Sequence, residues 1–272
     1  MSLFLLFDVG NTQLKWAAVE STQHPSAQQK KLWAYSGSIS SNSLRSHEHH
    51  QELSSYIAKT LPKPNAIAFS CVAGQESINS LQSLFPQWSK IRWQQLKGDS
   101  SFDGVRTLYQ EPSKLGADRW AAIIAACNLS KTNTLVVSAG TATTIDLLGS
   151  NGVHHGGWIL PGIDLMQKSL VTNTAQLPMA TRNEPSNEFG LSTNHAIVGG
   201  CDAAQIGAIQ YALDVAKEMN QAVETIWIDG GNAKILANAL VQTHKLSHIK
   251  IEVCEGLVLR GLWAWLLKNT ES

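Results

Sequence analysis

The feature that most restricts the fold of this chain is an element that occurs twice. Leu3 to Phe7 is an apolar run that stops at Asp8-Val9-Gly10-Asn11-Thr12, after which Leu14, Trp16 and Ala18 alternate with Gln13, Lys15 and Ala17. The pattern predicts a strand, a tight turn and a returning strand. Thr134 to Val137 is a second such run, with Ser138-Ala139-Gly140-Thr141-Ala142 in place of the turn and Thr143 to Leu148 as the returning strand. The glycines align, a small polar residue follows each, and the offset, 138 minus 8, is 130 residues, about one domain. The expected organisation is two related α/β domains, each opening with a hairpin that carries a glycine.

Further elements fit around these hairpins. Ala66 to Val72 and Ile91 to Gln95 are strand candidates separated by a helical stretch around Ile78 to Leu84, and residues 21–30, polar and holding Pro25, read as a loop. The composition shifts from Pro112, and Lys114 to Asn128, with five alanines, two isoleucines and Trp120, suits a buried helix. The expected boundary therefore lies just before Gly116, giving domains 1–115 and 116–272. A third glycine-rich strand end, Asp229-Gly230-Gly231-Asn232, follows Ile226-Trp227-Ile228 and precedes a helical Ala233 to Leu240. An apolar helix, Val258 to Leu267, closes the chain and could pack back on the first domain.

Charge narrows the function classes. Lys and Arg number 21, as do Asp and Glu, so the formal net charge is zero, and no basic tail or stripe occurs. Binding of nucleic acid through the protein's field is therefore not expected. Charged residues make up 15% of the chain, against about 25% in ordinary soluble domains, while 43% are hydrophobic. Part of the surface is expected to be covered by another subunit, where fewer charges are needed. Asp8 ends the first apolar run with no Lys or Arg ahead of it, so no signal peptide is read, and no run reaches the roughly 20 apolar residues of a membrane span. A cytoplasmic protein is expected. Cys71, Cys127, Cys201 and Cys254 lie far apart in apolar surroundings and read as buried reduced thiols.

The turns carry the candidate chemistry. A glycine at a turn lets the backbone approach a ligand, and unpaired N–H groups there can hold phosphate oxygens. Asp8 beside such a turn could bind magnesium, which takes one or two carboxylates together with substrate oxygens. A single Asp-x-Gly turn reads first as an ordinary hairpin capped by its own Asp, but three glycine-rich turns point to a nucleotide. No P-loop and no Rossmann fingerprint is present. In Leu115-Gly116-Ala117-Asp118-Arg119-Trp120, Asp118 reads either as a helix cap or as the base for an attacking hydroxyl, with Arg119 steadying a negative group. His47-Glu48-His49-His50 reads as a solvated face rather than a metal site, His154-His155 as an ordinary turn ahead of the alternative of strand-end residues close to substrate, and Trp158, Trp227, Trp263 and Trp265 as core or subunit contacts.

In order along the chain, the pieces Asp8 to Thr12, Tyr109 with Pro112, Leu115 to Trp120, Gly140-Thr141-Ala142-Thr143-Thr144-Ile145-Asp146, Gly156-Gly157-Trp158-Ile159-Leu160-Pro161-Gly162, Thr174 to Pro178, Gly190 to Gly199 and Asp229 to Asn232 resemble the type III pantothenate kinases, the family that includes the Bvg accessory factor proteins. The resemblance implies two ribonuclease-H-like domains of the acetate and sugar kinase, Hsp70 and actin superfamily, and a homodimer with its active sites in the domain cleft near the subunit interface. It implies ATP-dependent phosphorylation of pantothenate at its 4′-hydroxyl, the first step toward coenzyme A, with magnesium and a monovalent cation, potassium or ammonium. By resemblance Asp118 is the base, while Tyr109, Gly116, Ala117, Arg119 and Thr193 contact pantothenate, Thr193 reaching across the dimer. Asp8, Val9, Gly10, Asn11, Thr12, Gln13, Lys15, Gly140, Thr141, Gly230, Gly231 and Asn232 line the nucleotide, with Asp8 at the magnesium. The family carries Asp at the head of the second turn, where this chain has Ser138. A serine there leaves the magnesium site one carboxylate short. Either Asp8 with water and phosphates suffices, or the chain is a regulator that keeps the kinase fold with weak or no catalysis.

Overall fold

A computed structural model describes residues 2–21, 32–41, 54–57, 59–182, 189–242, 246 and 248–270. The chain forms two compact units: Met1–Ser130 together with Leu257–Ser272, and Lys131–Gly256.

The first unit opens with β1 (Leu3–Val9) and β2 (Gln13–Glu20), an antiparallel pair turning through Gly10 to Thr12, and β3 (Tyr35–Ser40) continues the meander. β4 (Ala66–Cys71) then lies parallel to β1, and β5 (Arg92–Gln95) parallel to β4. The sheet order is β3-β2-β1-β4-β5. Every residue of β1 is buried, because as the central strand it is covered on both faces, which is why it reads as a continuous apolar run instead of an alternating one. Leu3, Leu5, Phe7 and Val9 face a core with Leu81, Phe85 and Trp88, contributed by α1 (Gln75–Ser83) and the turn after it. Phe4 on the opposite face packs against Trp263, with ring centroids 5.1 Å apart.

That opposite face belongs to α2 (Ala117–Leu129) and the terminal helix (Leu257–Thr270), both within the first unit. α2 follows a two-residue strand, β6 (Arg106–Thr107), and a short helical turn over Pro112–Lys114. The two helices approach so closely that a side chain at Gly261 would run into the carbonyl of Ala121. Small residues at the crossing permit this contact. The boundary expected ahead of Gly116 thus differs from the division seen: α2 stays with the first unit and the chain crosses after Ser130, while the terminal helix packs back on the first unit, the option raised for it from the sequence. The physical reason is that the alanine-rich α2 is buried nearly all round, so it needs both the sheet face and a second helix to cover it.

The second unit repeats the plan. β7 (Thr134–Ala139) and β8 (Ala142–Leu148) form an antiparallel hairpin, β9 (Val153–Pro161) extends it, and β10 (Thr225–Asp229) and β11 (Lys250–Val253) lie parallel on the other side of β7. Within this unit the strands run β11-β10-β7-β8-β9, matching β5-β4-β1-β2-β3 of the first unit strand for strand. Three helices complete the unit: α3 (Ile163–Asn173), the 26-residue α4 (Thr193–Glu218) and α5 (Ala233–Val241), which follows β10 as α1 follows β4. With these named, the terminal helix is α6. The second core gathers Val137, Ile145, Ile197, Ile209, Ile228 and Leu236. His154 and His155, expected in a turn, lie on β9, and His154 is fully buried with its Nε2 2.9 Å from Oδ1 of Asp146. Trp227, Trp263 and Trp265 are buried, whereas Trp158 is partly exposed and stacks on Tyr211, with centroids 5.5 Å apart. His47 to His50 lie outside the described residues.

Candidate active site

In the first unit the site begins at the carboxyl ends of parallel strands β1 and β4, where ligands of open α/β sheets bind. Asp8 is 9% exposed and lies on the face of β1 shared by Phe4 and Leu6. It is flanked in register by Lys15 on β2 and Ser70 on β4. Opposite charges on directly paired positions stabilise one another, and the fully buried Ser70 donates its hydroxyl to Oδ1 of Asp8 at 3.0 Å. Beyond the buried Val9 the chain turns: Gly10 N–H donates to the Gln13 carbonyl at 3.0 Å, Ser41 Oγ donates to the Gly10 carbonyl at 2.6 Å, and Ser41 N–H to the Thr12 carbonyl at 2.9 Å. These bonds hold the turn while Asn11, Thr12 and Gln13 stay exposed at its tip. A rigid turn with exposed polar groups suits oxygen-rich ligands.

A second cluster of the first unit surrounds the start of α2. Gly116 precedes the helix in an extended conformation, Ala117 is its first residue, and Asp118 lies in its first turn, where a negative charge is favoured. Oδ1 of Asp118 accepts the Arg119 backbone N–H at 2.8 Å. A side chain at position 116 would come within 2.6 Å of that oxygen, so glycine keeps the space beside the carboxylate open. Arg119 is 5% exposed, and its guanidinium lies over the Tyr109 ring, 5.7 Å from the centroid. Tyr109 N–H is tied to Thr107 Oγ1 at 3.0 Å. Tyr109, Gly116, Asp118 and Arg119 thus form one local group with a carboxylate, a fixed cation and an aromatic ring.

In the second unit the strand ends bring three turns onto one surface. β7 runs through Ser138 to Ala139, so the hairpin turn is Gly140–Thr141, tighter than the five-residue turn expected. Gly162 N–H donates to the Thr141 carbonyl at 2.9 Å, and a side chain at Gly162 would collide with the Gly140 carbonyl. From the other side Asn232 N–H donates to the Ala139 carbonyl at 3.1 Å. Gly230 has φ of 107°, a left-handed conformation that a side chain would strain, and any Cβ there would strike the Ala139 backbone. Gly140, Thr141, Gly230, Gly231 and Asn232 are therefore brought together. Thr193 lies elsewhere on this unit, as the exposed first residue of α4, whose Ser192 cap accepts the His195 N–H at 3.3 Å. It lines a mainly apolar cavity of about 510 Å³ with Met166, Leu170, Leu177, Ile197 and Cys201.

Comparison with known proteins agrees with this geometry. The type III pantothenate kinase family matches over residues 4–214, more than half of the chain. The chain belongs to the type III pantothenate kinase family. A type III pantothenate kinase of Dechloromonas aromatica is 32% identical over 267 residues, covering 98% of this chain and all of that protein. The fold is that of the sugar kinase and actin group. The activator of 2-hydroxyisocaproyl-CoA dehydratase from Clostridium difficile, solved with bound ADPNP, superposes with a TM-score of 0.54 at 11% identity, covering 99% of this chain and 97% of that one. A glucokinase from an Antarctic psychrotroph gives 0.50 at 15% identity, with 99% of each chain covered.

Within this kinase family chain, strand register adds Ser70 to the site and gives Asp229 a new neighbour. Ser70 sits inside the apolar run Ala66 to Val72 and reads there as a strand residue; only its register with Asp8 gives it a place beside the site. Asp229 heads a turn already singled out, yet its register with Ser138 follows from the parallel pairing of β7 and β10, which have residues 140–224 between them. Among the described residues no group of three or more His, Cys, Asp or Glu could cage a metal. A donor set of isolated carboxylates at phosphate-ready turns fits magnesium, which is bound largely through substrate oxygens and water.

Proposed function

We propose that this chain transfers the γ-phosphoryl group of ATP to the 4′-hydroxyl of pantothenate, with Asp118 as the base. The observation that carries the reading is the group around Asp118: a carboxylate in the first turn of α2, with open space at Gly116 and with Arg119 and Tyr109 alongside. Phosphoryl transfer requires chiefly that the hydroxyl be aligned and its proton accepted. Asp118 takes that proton, Arg119 pairs with the pantothenate carboxylate, and the Tyr109 ring holds the guanidinium in place. Gly116, Ala117 and Thr193 complete the acceptor side.

On the first unit, Asp8 with Val9, Gly10, Asn11, Thr12, Gln13 and Lys15 receives ATP phosphates and magnesium. On the second, Gly140 and Thr141 take phosphate oxygens, and Gly230, Gly231 and Asn232 the nucleoside side. Magnesium, when bound, offsets negative charge on the phosphate oxygens. Asp8, its carboxylate oriented by Ser70, would hold magnesium on the first unit, and on this reading serine at position 138 is tolerated. A monovalent cation, potassium or ammonium, belongs to the same reading.

The working form is a homodimer, and α4 supports it. Ala196, Gly200, Ala204, Gly207 and Tyr211 form one exposed stripe along this helix. A Cβ added at Gly200 or Gly207 would meet nothing within 4 Å, so no contact inside the unit calls for glycine there. Helical glycine costs about 1 kcal/mol relative to alanine, a cost that close approach of a second α4 offsets. No helix among the described residues is long and apolar enough to cross a membrane, in keeping with work in the cytoplasm.

The test is a coupled ADP-release assay with ATP, magnesium and potassium or ammonium, with and without pantothenate. Release that requires pantothenate is the expected result. Absence of release, together with absence of pantothenate binding by calorimetry, would refute the kinase reading.

A further inference from the structure

We propose that Asp229 is the metal-facing carboxylate of the second unit, holding hydrated magnesium against the nucleotide phosphates at the Gly140–Thr141 turn. The inference deepens the kinase reading and rests on that turn being a phosphate site. The five strands within each unit follow one order, so β1 corresponds to β7 and β4 to β10. In the first unit the paired strand ends carry Asp8 on β1 and Ser70 on β4, in register and joined by the 3.0 Å hydroxyl to carboxylate bond. In the second unit the corresponding register pair is Ser138 on β7 and Asp229 on β10. Carboxylate and hydroxyl have changed places. Residues paired in register leave a sheet on the same face, and neighbouring strands are about 4.8 Å apart. The exchange therefore moves the charge by one strand spacing, at the same end and on the same face of the sheet.

The surroundings of Asp229 tie it to the phosphate surface. It is 7% exposed, and its Oδ1 accepts the N–H groups of Gly230 at 2.7 Å and Gly256 at 3.3 Å. Gly230 rests on Ala139, and Asn232 bonds the Ala139 carbonyl, so the turn that Asp229 heads is packed against the β7 to β8 turn. Magnesium needs few carboxylates and keeps several waters, so a carboxylate one strand removed serves it through a water molecule. The backbone N–H bonds alone would need only an acceptor oxygen, which asparagine also provides, and this separates a charge role from a structural one.

Calorimetry of ADP binding to the full chain, with and without magnesium chloride, makes the separation. In Asp229→Asn the gain in ADP affinity brought by magnesium should fall roughly 10- to 100-fold, the usual loss for a group acting through a metal's bound water. Binding of metal-free ADP should be unchanged or tighter, because a like charge beside the phosphates is gone. Adding Ser138→Asp to that variant should recover the magnesium gain. Full retention of the gain in Asp229→Asn, or equal loss of ADP binding with and without magnesium, would overturn the proposal. Ser138→Asp alone gives a check independent of how Asp229→Asn folds: it should increase the magnesium gain, and no change would contradict a metal facing this register pair. Wild-type protein that phosphorylates pantothenate while Asp229→Asn keeps the full gain would leave the kinase reading standing and remove this one. Wild-type protein that binds no ADP would remove both.

Discussion

Single residues decide how charge and protons are held, and two thiols report on this, Cys71 at the end of β4 and Cys201 on α4. Burial pushes the Cys71 thiol above its ordinary value of 9.0, with Asp8 adding to the effect, and burial likewise raises Cys201 beside Asp202. The thiolate is the nucleophile, so iodoacetamide should label native Cys71 slowly at neutral pH and accelerate only above pH 9. Rapid labelling at pH 7 would contradict the partial burial of Cys71. The same shifts set a stability slope. The folded chain keeps protons that the unfolded chain releases, so the stabilisation is complete below pH 9 and is lost as pH rises through the folded values. Replacing both cysteines with alanine should flatten the alkaline limb of a urea-midpoint profile. Part of the candidate site can be picked out from residue types at this scale. Asp8, Gly10, Asp118 and Gly140 stand out by type and spacing, whereas Ser70 and Asp229 acquire meaning only through pairing between strands distant in sequence.

At the level of elements, legibility followed hydrophobic pattern. β1, β2, β7, β8 and α2 have strong apolar runs or alternation and lie close to where the pattern predicts them. β9 was missed because His154 to Gly157 reads as a turn, although the burial of His154 against Asp146 keeps that stretch in the sheet. α4 was missed for a related reason: Gly199, Gly200 and Gly207 lower its helix propensity, and its small residues blur the apolar stripe. Those glycines are the element's functional signature if α4 meets a second α4. Gly207→Leu should then convert a dimer to a monomer in light scattering after gel filtration, with helical content retained. A variant that stays dimeric would move the interface elsewhere.

For the whole molecule, the sequence pattern exposes the duplication but not the path of the chain between units. The return of α6 to the first unit agrees with the expectation that the closing apolar helix could pack back there, but its partners, Phe4 and α2, are remote in sequence and only the structure identifies them. Trp263 is fully buried in the first unit, so Trp263→Ala should cost about 3–5 kcal/mol. Hydrogen exchange should then show protection lost in β1 and β4, and loss confined to β7 and β10 would contradict the assignment of α6. On the proposed reading the acid–base group belongs to the first unit, as Asp118 in the first turn of α2. The most direct test of that claim follows 4′-phosphopantothenate by mass spectrometry in wild type and Asp118→Asn, with ADP affinity measured in parallel. Wild type should form the product, and the variant should form it about 10²- to 10⁴-fold more slowly with ADP affinity nearly unchanged. Product formation at the wild-type rate by Asp118→Asn would contradict the account.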